Sequence, residues 1–252
     1  MQVIVCVKQI PDPASPYQLD PESHLLVRPD EQVLDETDRY GVEMGLQLAQ
    51  AHEGTVSLVS MGPAGSMQGI RQALAMGADD ATIVDDAELK GSDALATARV
   101  LGAAIAATEF DLVIAGTEST DGYSGVAPQM LAEVLGVPCL TYVREITVEE
   151  GKVTVHRQTD AGYDVVEAQL PAVVAVTAGV VEPRYPTFKG IMQAKKKPLE
   201  TKTAAELGVD TTVSQSVTEI AEAPERSSGE KIEDDGDAHE RIIQLLEQKK
   251  VI

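Results

Sequence analysis

Residues 116–130, GTESTDGYSGVAPQM, open from the end of the apolar run DLVIAG (111–116) and interleave glycines with hydroxyl and carboxylate side chains. Gly122 and Gly125 alternate with the hydroxyls of Thr117, Ser119, Thr120 and Ser124, just ahead of an apolar helical pattern. Glycines let backbone N–H groups approach an anion, hydroxyls add donors, and the N-terminus of the following helix favours a phosphate. The same composition also suits a plain strand-to-helix connector. Nothing nearby completes a reaction centre. There is no phosphate-binding lysine loop, no dinucleotide fingerprint after the first strand and no nucleophile elbow. Four scattered His and two Cys, Cys6 and Cys139, show no metal-ligand or disulfide spacing. The stretch therefore reads as a binding pocket without nucleophile, metal or base, and the chain as a non-enzyme.

The elements that must position this loop follow a strand–helix rhythm. VIVCVK (3–8) is a β-branched run of the kind buried on both faces of a parallel sheet. A Pro- and Asp-rich loop follows, with a short hairpin expected at HLLVR (24–28). Asp35 is placed to cap a helix with Tyr40, Met44 and Leu48 on one face, ending at Gly54. Strands at 55–62, 81–86 and 111–116 alternate with helices at 69–77, after Ser92 as cap, and through APQMLAEVLG (127–136). This order predicts right-handed crossovers and an α/β fold: a doubly wound, mostly parallel, Rossmann-like sheet. From Pro138 the pattern changes to alternation around the turns EEGK and DAGY, which predicts antiparallel hairpins finishing the sheet. Ligands of such sheets sit beyond the carboxyl ends of the strands, where strand order reverses. Here those ends are 6–8, 61–63, 84–86 and 115–117.

The chain carries a formal net charge of −21 over 252 residues, which disfavours nucleic acid and anionic lipid as partners. It has no apolar run near the ~20 residues of a membrane span and no recognisable signal peptide, so a cytoplasmic location is expected. Against this acidic background, RYPTFKGIMQAKKKPLE (184–200) is cationic and carries one of only two Phe. The expected division is an α/β nucleotide-binding domain at 1–183 and, at 184–252, a loop and extended arm ending in an amphipathic helix with Ile242, Leu245 and Leu246. By pattern alone the arm either lies on another protein or packs back on its own domain.

Several separated stretches resemble the beta subunit of electron transfer flavoprotein: VCVKQIPD (5–12), RQALAMGADDATIV (71–84), QLPAVVAVTAGVVEPRYPTFKGIMQAKKK (169–197) and ELGVD (206–210). The resemblance spans essentially the whole chain, in the same order. It implies a heterodimer whose alpha subunit holds the electron-carrying FAD, while the beta subunit holds a non-redox AMP. Carried over, the AMP pocket falls at Cys6, at Asp35, Glu36, Thr37 and Asp38, at Met61, and at Gly116, Thr117, Glu118, Ser119, Thr120, Asp121, Gly122, Tyr123, Ser124, Gly125, Val126 and Ala127. The chain departs from many members where Asp35-Glu36-Thr37-Asp38 replaces Asn-Pro-Phe-Asp, losing an aromatic that can lie near the flavin. It also lacks the Asp-Gly-Asp-Thr run of bifurcating members with a second FAD, which favours AMP here.

The resemblance makes the cationic segment a recognition loop for flavin dehydrogenases such as acyl-CoA dehydrogenases, with electrons passing on to a membrane quinone reductase. Phe188 stands at its apolar anchor, accompanied by Arg184, Tyr185, Lys189, Ile191 and Met192. Lys195, Lys196 and Lys197 would steer acidic partners. The rival readings are a bifurcating subunit with a second FAD and a stand-alone adenine-nucleotide-binding regulatory protein.

Overall fold

The apolar runs of the parallel strands are continuous because both faces of the sheet are covered. Val3 and Val5 of the first strand join one buried cluster, and Ile4 between them joins the other. Val113 and Val173 repeat this, facing away from their neighbours Leu112, Ile114, Ala172 and Val174. The computed structural model describes residues 1–63, 65, 67–221, 229, 231–234 and 236–252.

In chain order the elements are β1 (Gln2–Cys6), β2 (Gln9–Ile10), β3 (Val33–Leu34), α1 (Glu36–Ala51), β4 (Thr55–Met61), α2 (Gln68–Met76), β5 (Asp80–Val84), α3 (Ala94–Ala106), β6 (Leu112–Gly116) and α4 (Ala127–Leu135). Then come β7 (Cys139–Glu149), β8 (Lys152–Thr159), β9 (Gly162–Gln169), β10 (Ala172–Val176), α5 (Phe188–Ala194), β11 (Leu199–Lys202), α6 (Ala204–Leu207) and α7 (Ala238–Gln248). The main sheet has the order β11-β5-β4-β1-β6-β10-β7-β8-β9. It is parallel from β11 through β7, and β7, β8 and β9 pair antiparallel. The expected α/β class and the antiparallel hairpins are thus present. At the β7–β8 turn, Glu150 and Gly151 both take positive φ, +50° and +77°, the two-residue geometry whose twist suits a hairpin.

The chain moves outward from β1 to β4 and β5, then returns to the other side of β1 as β6. The sheet's switch point therefore lies between the carboxyl ends of β1 and β6, where the residues after Cys6 and after Gly116 meet. Helix α1 sits tightly over β1 because Gly45 has no side chain. A Cβ there would stand 3.0 Å from Val5 Cγ2 and 3.3 Å from Val3 Cγ1.

Some local expectations shift. Asp93, not Ser92, caps α3: its Oδ1 accepts from Ala96 N at 2.8 Å, while Ser92 Oγ donates to Leu89 O. Helix α1 ends at Ala51, and Gly54 N donates back to Ala49 O at 2.7 Å. The HLLVR hairpin reduces to a single Leu19–Leu26 bridge flanked by backbone bonds from Val27 N to Gln18 O and from Asp20 N to Leu25 O.

Beyond residue 184, where the sequence shows no compact pattern, α5, β11 and α6 form. β11 adds to the sheet beside β5, with Leu199 opposite Ala81. The chain divides into two compact units, Met1–Thr218 and Glu219–Ile252. The second contains α7, whose Ile242, Ile243 and Leu245 are exposed. Among the described residues no helix is long and apolar enough to cross a membrane.

Candidate functional site

At the switch point the site is assembled around two buried carboxylates at the start of α1. Asp35 is fully buried. Its Oδ1 accepts from Thr37 N at 3.1 Å, which caps α1, and from Thr37 Oγ1 at 2.9 Å. Its Oδ2 accepts from Thr120 N at 2.7 Å and Thr120 Oγ1 at 3.1 Å. One side chain thus ties the helix to the loop after β6. Asp38 accepts from Lys8 N at 2.6 Å. Burial and the neighbouring Asp35 push its carboxyl well above the usual range.

The loop after β6 closes against these residues. Thr37 Oγ1 also lies 3.3 Å from Glu118 O. A Cβ on Gly116 would stand 3.1 Å from Asp38 Oδ1 and 3.2 Å from Thr37 Oγ1, so glycine is what lets β6 end this close to α1. Asp121 has a fully buried side chain held by two cations, Lys8 Nζ at 2.7 Å and Arg28 Nη2. Burial would raise its pKa, but Lys8 and Arg28 outweigh it and hold the group below the ordinary value. Lys8 Nζ also reaches Ser119 Oγ at 3.3 Å. Past Asp121, Gly122 N and Tyr123 N donate to Ser119 O, making a tight turn with Tyr123 at φ +48°. Gly125 follows at φ +64°. Helix α4 then begins with no side-chain cap at Val126, leaving the first-turn N–H groups on either side of Pro128 without that partner.

The structure brings together Asp35, Thr37, Asp38, Gly116, Glu118, Ser119, Thr120 and Asp121. Thr117 turns back to the sheet, its N and Oγ1 bonding Val176 O. Cys6 and Met61 end adjacent strands, and each packs on the cluster below. Burial, reinforced by Asp38, pushes the Cys6 thiol up to about 12, so it is no nucleophile. Glu36 does not join: it is exposed and lies 3.9 Å from Arg39. Tyr123, Ser124 and Val126 stand exposed on the rim beside Gly125 and Ala127.

Three participants escape a reading of the sequence. Lys8 is the only one with a signal, as a cation directly at a strand end. Arg28 and Tyr17 come from the long loop before β3. Tyr17 is exposed; the desolvation it does undergo, with Asp121 and Asp35, pushes its phenol up, opposed by its hydrogen bond with Thr120.

The cationic segment is ordered by its two ends. Arg184 turns inward onto Glu43 of α1, through Nε at 2.6 Å, Nη2 at 2.9 Å and its backbone N at 3.3 Å. Thr187 caps α5, accepting from Gly190 N at 3.0 Å. Phe188, Ile191 and Met192, at helical spacing i, i+3 and i+4, form an outward face with Phe188 82% exposed. Tyr185 is 80% exposed, with the Arg39 guanidinium 5.6 Å from its ring centre. Lys189, Lys195 and Lys196 are exposed. Lys197 differs from them: its Nζ donates to Leu74 O at 3.0 Å and to Ala78 O, at the end of α2.

The family model for the electron transfer flavoprotein domain matches residues 24–207. The chain is 41% identical to the electron transfer flavoprotein subunit beta of Mycobacterium leprae, over 99% of both chains. It is 36% identical to that of Megasphaera elsdenii over the full length of both. It is also 35% identical to the caffeyl-CoA reductase-Etf complex subunit CarD of Acetobacterium woodii, over 79% of this chain and 77% of that one. The chain therefore belongs to the electron transfer flavoprotein family, among its beta subunits.

Proposed function

We propose that this chain is the non-catalytic half of a cytoplasmic heterodimeric electron carrier. In this reading the strand-end pocket holds AMP and the 184–197 segment docks flavin dehydrogenases. Electrons accepted from enzymes such as acyl-CoA dehydrogenases ride on an FAD held mainly by the alpha subunit and pass to a quinone reductase.

The pocket's residues fit a nucleotide on three counts. Helix α4 starts without a side-chain cap behind Gly125, so the N–H groups of Ala127 and Gln129, on either side of Pro128, can donate to a phosphate. Asp121, which would repel that phosphate, is offset by Lys8 and Arg28. Gly116 brings backbone rather than side chain to the pocket floor. None of these groups moves a proton or attacks a bond, so the nucleotide acts as structure and stabilises the fold by mass action.

The docking role rests on one observation. Phe188 is 82% exposed on a capped helix, with Ile191 and Met192 beside it and lysines around it. An apolar anchor ringed by charge is the layout of an interface hot spot. Phe188→Ala should lower kcat/KM for electron transfer from a dehydrogenase more than tenfold, about 2 kcal/mol. The flavin spectrum and melting temperature should stay unchanged. A lower melting temperature with normal turnover would overturn the reading.

A further inference from the structure

The outward face of α5 is built on a helix that cannot stand alone. α5 has seven residues, well short of the ~12–15 at which an isolated helix becomes even marginal. What holds it is a reciprocal closure of helix ends between α5 and α2. Arg71 of α2 donates through Nη1 at 2.9 Å to Ala194 O, a carbonyl in the last turn of α5. In return Lys197, just past α5, donates through Nζ to Leu74 O at 3.0 Å and to Ala78 O, at the end of α2. Final carbonyls of a helix lack intrahelical partners, and a cation is the favoured group to meet them. Between the two cations the backbones touch: a Cβ on Gly190 would fall 2.5 Å from Ala75 O. Burial pulls the Lys197 pKa down, opposed by Asp79.

We propose that Lys197 and Arg71 are positioning residues that pre-form the docking face by closing the ends of α2 and α5 on each other, and that Lys197 is not one of the charges read by the partner. This deepens the docking reading and rests on it. Lys195 and Lys196 are left to steer. A face held rigid before encounter loses less ordering entropy on binding, so the device acts on partner affinity rather than on the flavin.

The test uses the full chain with its co-purified flavin subunit and the variant Lys197→Met, which keeps the aliphatic stem. Arg71→Met is a second variant that removes the opposite closure. Hydrogen exchange of the 190–194 amides should speed up by about tenfold or more in either. The KM of a flavin dehydrogenase for the complex should rise roughly threefold or more with little change in kcat. The fall of log kcat/KM with log salt should keep the wild-type slope for Lys197→Met. That slope should flatten for Lys195→Gln/Lys196→Gln, whose α5 exchange stays normal. A flattened slope with unchanged exchange in Lys197→Met would make it a partner-facing charge and overturn the proposal. Unchanged exchange in both Met variants would overturn it as well. If Phe188→Ala leaves KM unaltered, the docking reading fails by itself, and the exchange rates still decide whether these cations hold α5.

Discussion

Arg184→Met isolates the contact that fixes the start of the 184–197 segment. Its target, Glu43, has a side chain only 4% exposed, and in the variant it keeps Gln47 Nε2 at 2.8 Å and the backbone N of residue 184 at 3.3 Å but loses both guanidinium bonds. Removing one partner of a buried pair costs about 3–5 kcal/mol; because Arg184 is 35% exposed, the expectation here is about 2–3 kcal/mol. For a chain of this size that lowers the melting temperature by roughly 5–10 °C. The pH dependence gives the sharper signature. In the wild type, burial would raise the Glu43 pKa, but Arg184 and Gln47 outweigh it and hold it below the ordinary value. A depressed folded-state pKa stabilises the fold above the unfolded value of about 4.3, and that stability is lost as pH falls through the folded one. In the Met variant burial goes largely uncompensated, so the charged form is what costs. The penalty relative to wild type should therefore be largest near neutral pH and shrink toward about pH 4. Urea unfolding followed by circular dichroism measures this, since the chain has no Trp to report by fluorescence. Arg184→Met/Glu43→Gln should recover at least half of the loss, because an unpaired buried charge is worse than none. A penalty that is flat with pH, or a double variant no better than the single one, would refute the reasoning.

Three further outcomes are expected. Lys195→Gln/Lys196→Gln should slow association with a dehydrogenase at low salt and match wild type at high salt, as stopped-flow mixing would show; equal slowing at all salt would count against steering. Asp93→Ala removes both the α3 cap and the bonds from Ser214 N at 2.7 Å, Ser214 Oγ at 2.8 Å and Gln215 N at 3.1 Å. It should cost about 1–2 kcal/mol and speed exchange at 214 and 215, whereas loss of the cap alone would spare those amides. Gly116→Ala places a Cβ 3.1 Å from Asp38 Oδ1, and should lower the nucleotide retained per chain; wild-type retention would argue that the pocket floor lies elsewhere.

The parallel core was legible because its strands, buried on both faces, read as unbroken apolar runs such as 3–7 and 112–115, and Gly and Pro mark the turns between them. The same reading failed after residue 184 for a physical reason. β11 is an edge strand, LETK, in which Leu199 alone offers apolar burial, and α5 and α6 are short helices held by tertiary contacts and caps. Their sequences carry no periodicity long enough to detect. The site was legible in halves. Gly116 and the hydroxyl-rich loop announced themselves, and a strand end pointed to the position. Of the two cations that offset Asp121, Lys8 stands at a strand end, but Arg28 carried no signal because it lies 93 residues away along the chain. Lys197 looked like its neighbours in a run of three, and only the end of α2 separates it from them.

The most direct test of the account is the composition of the complex purified with this chain. Acid denaturation followed by chromatography would identify and count every released nucleotide. The account predicts one larger flavin-bearing subunit, one FAD and one AMP per heterodimer. A second FAD with no AMP would mean that this pocket is a flavin site. A chain that purifies alone, with no flavin-bearing partner, would contradict the carrier role itself.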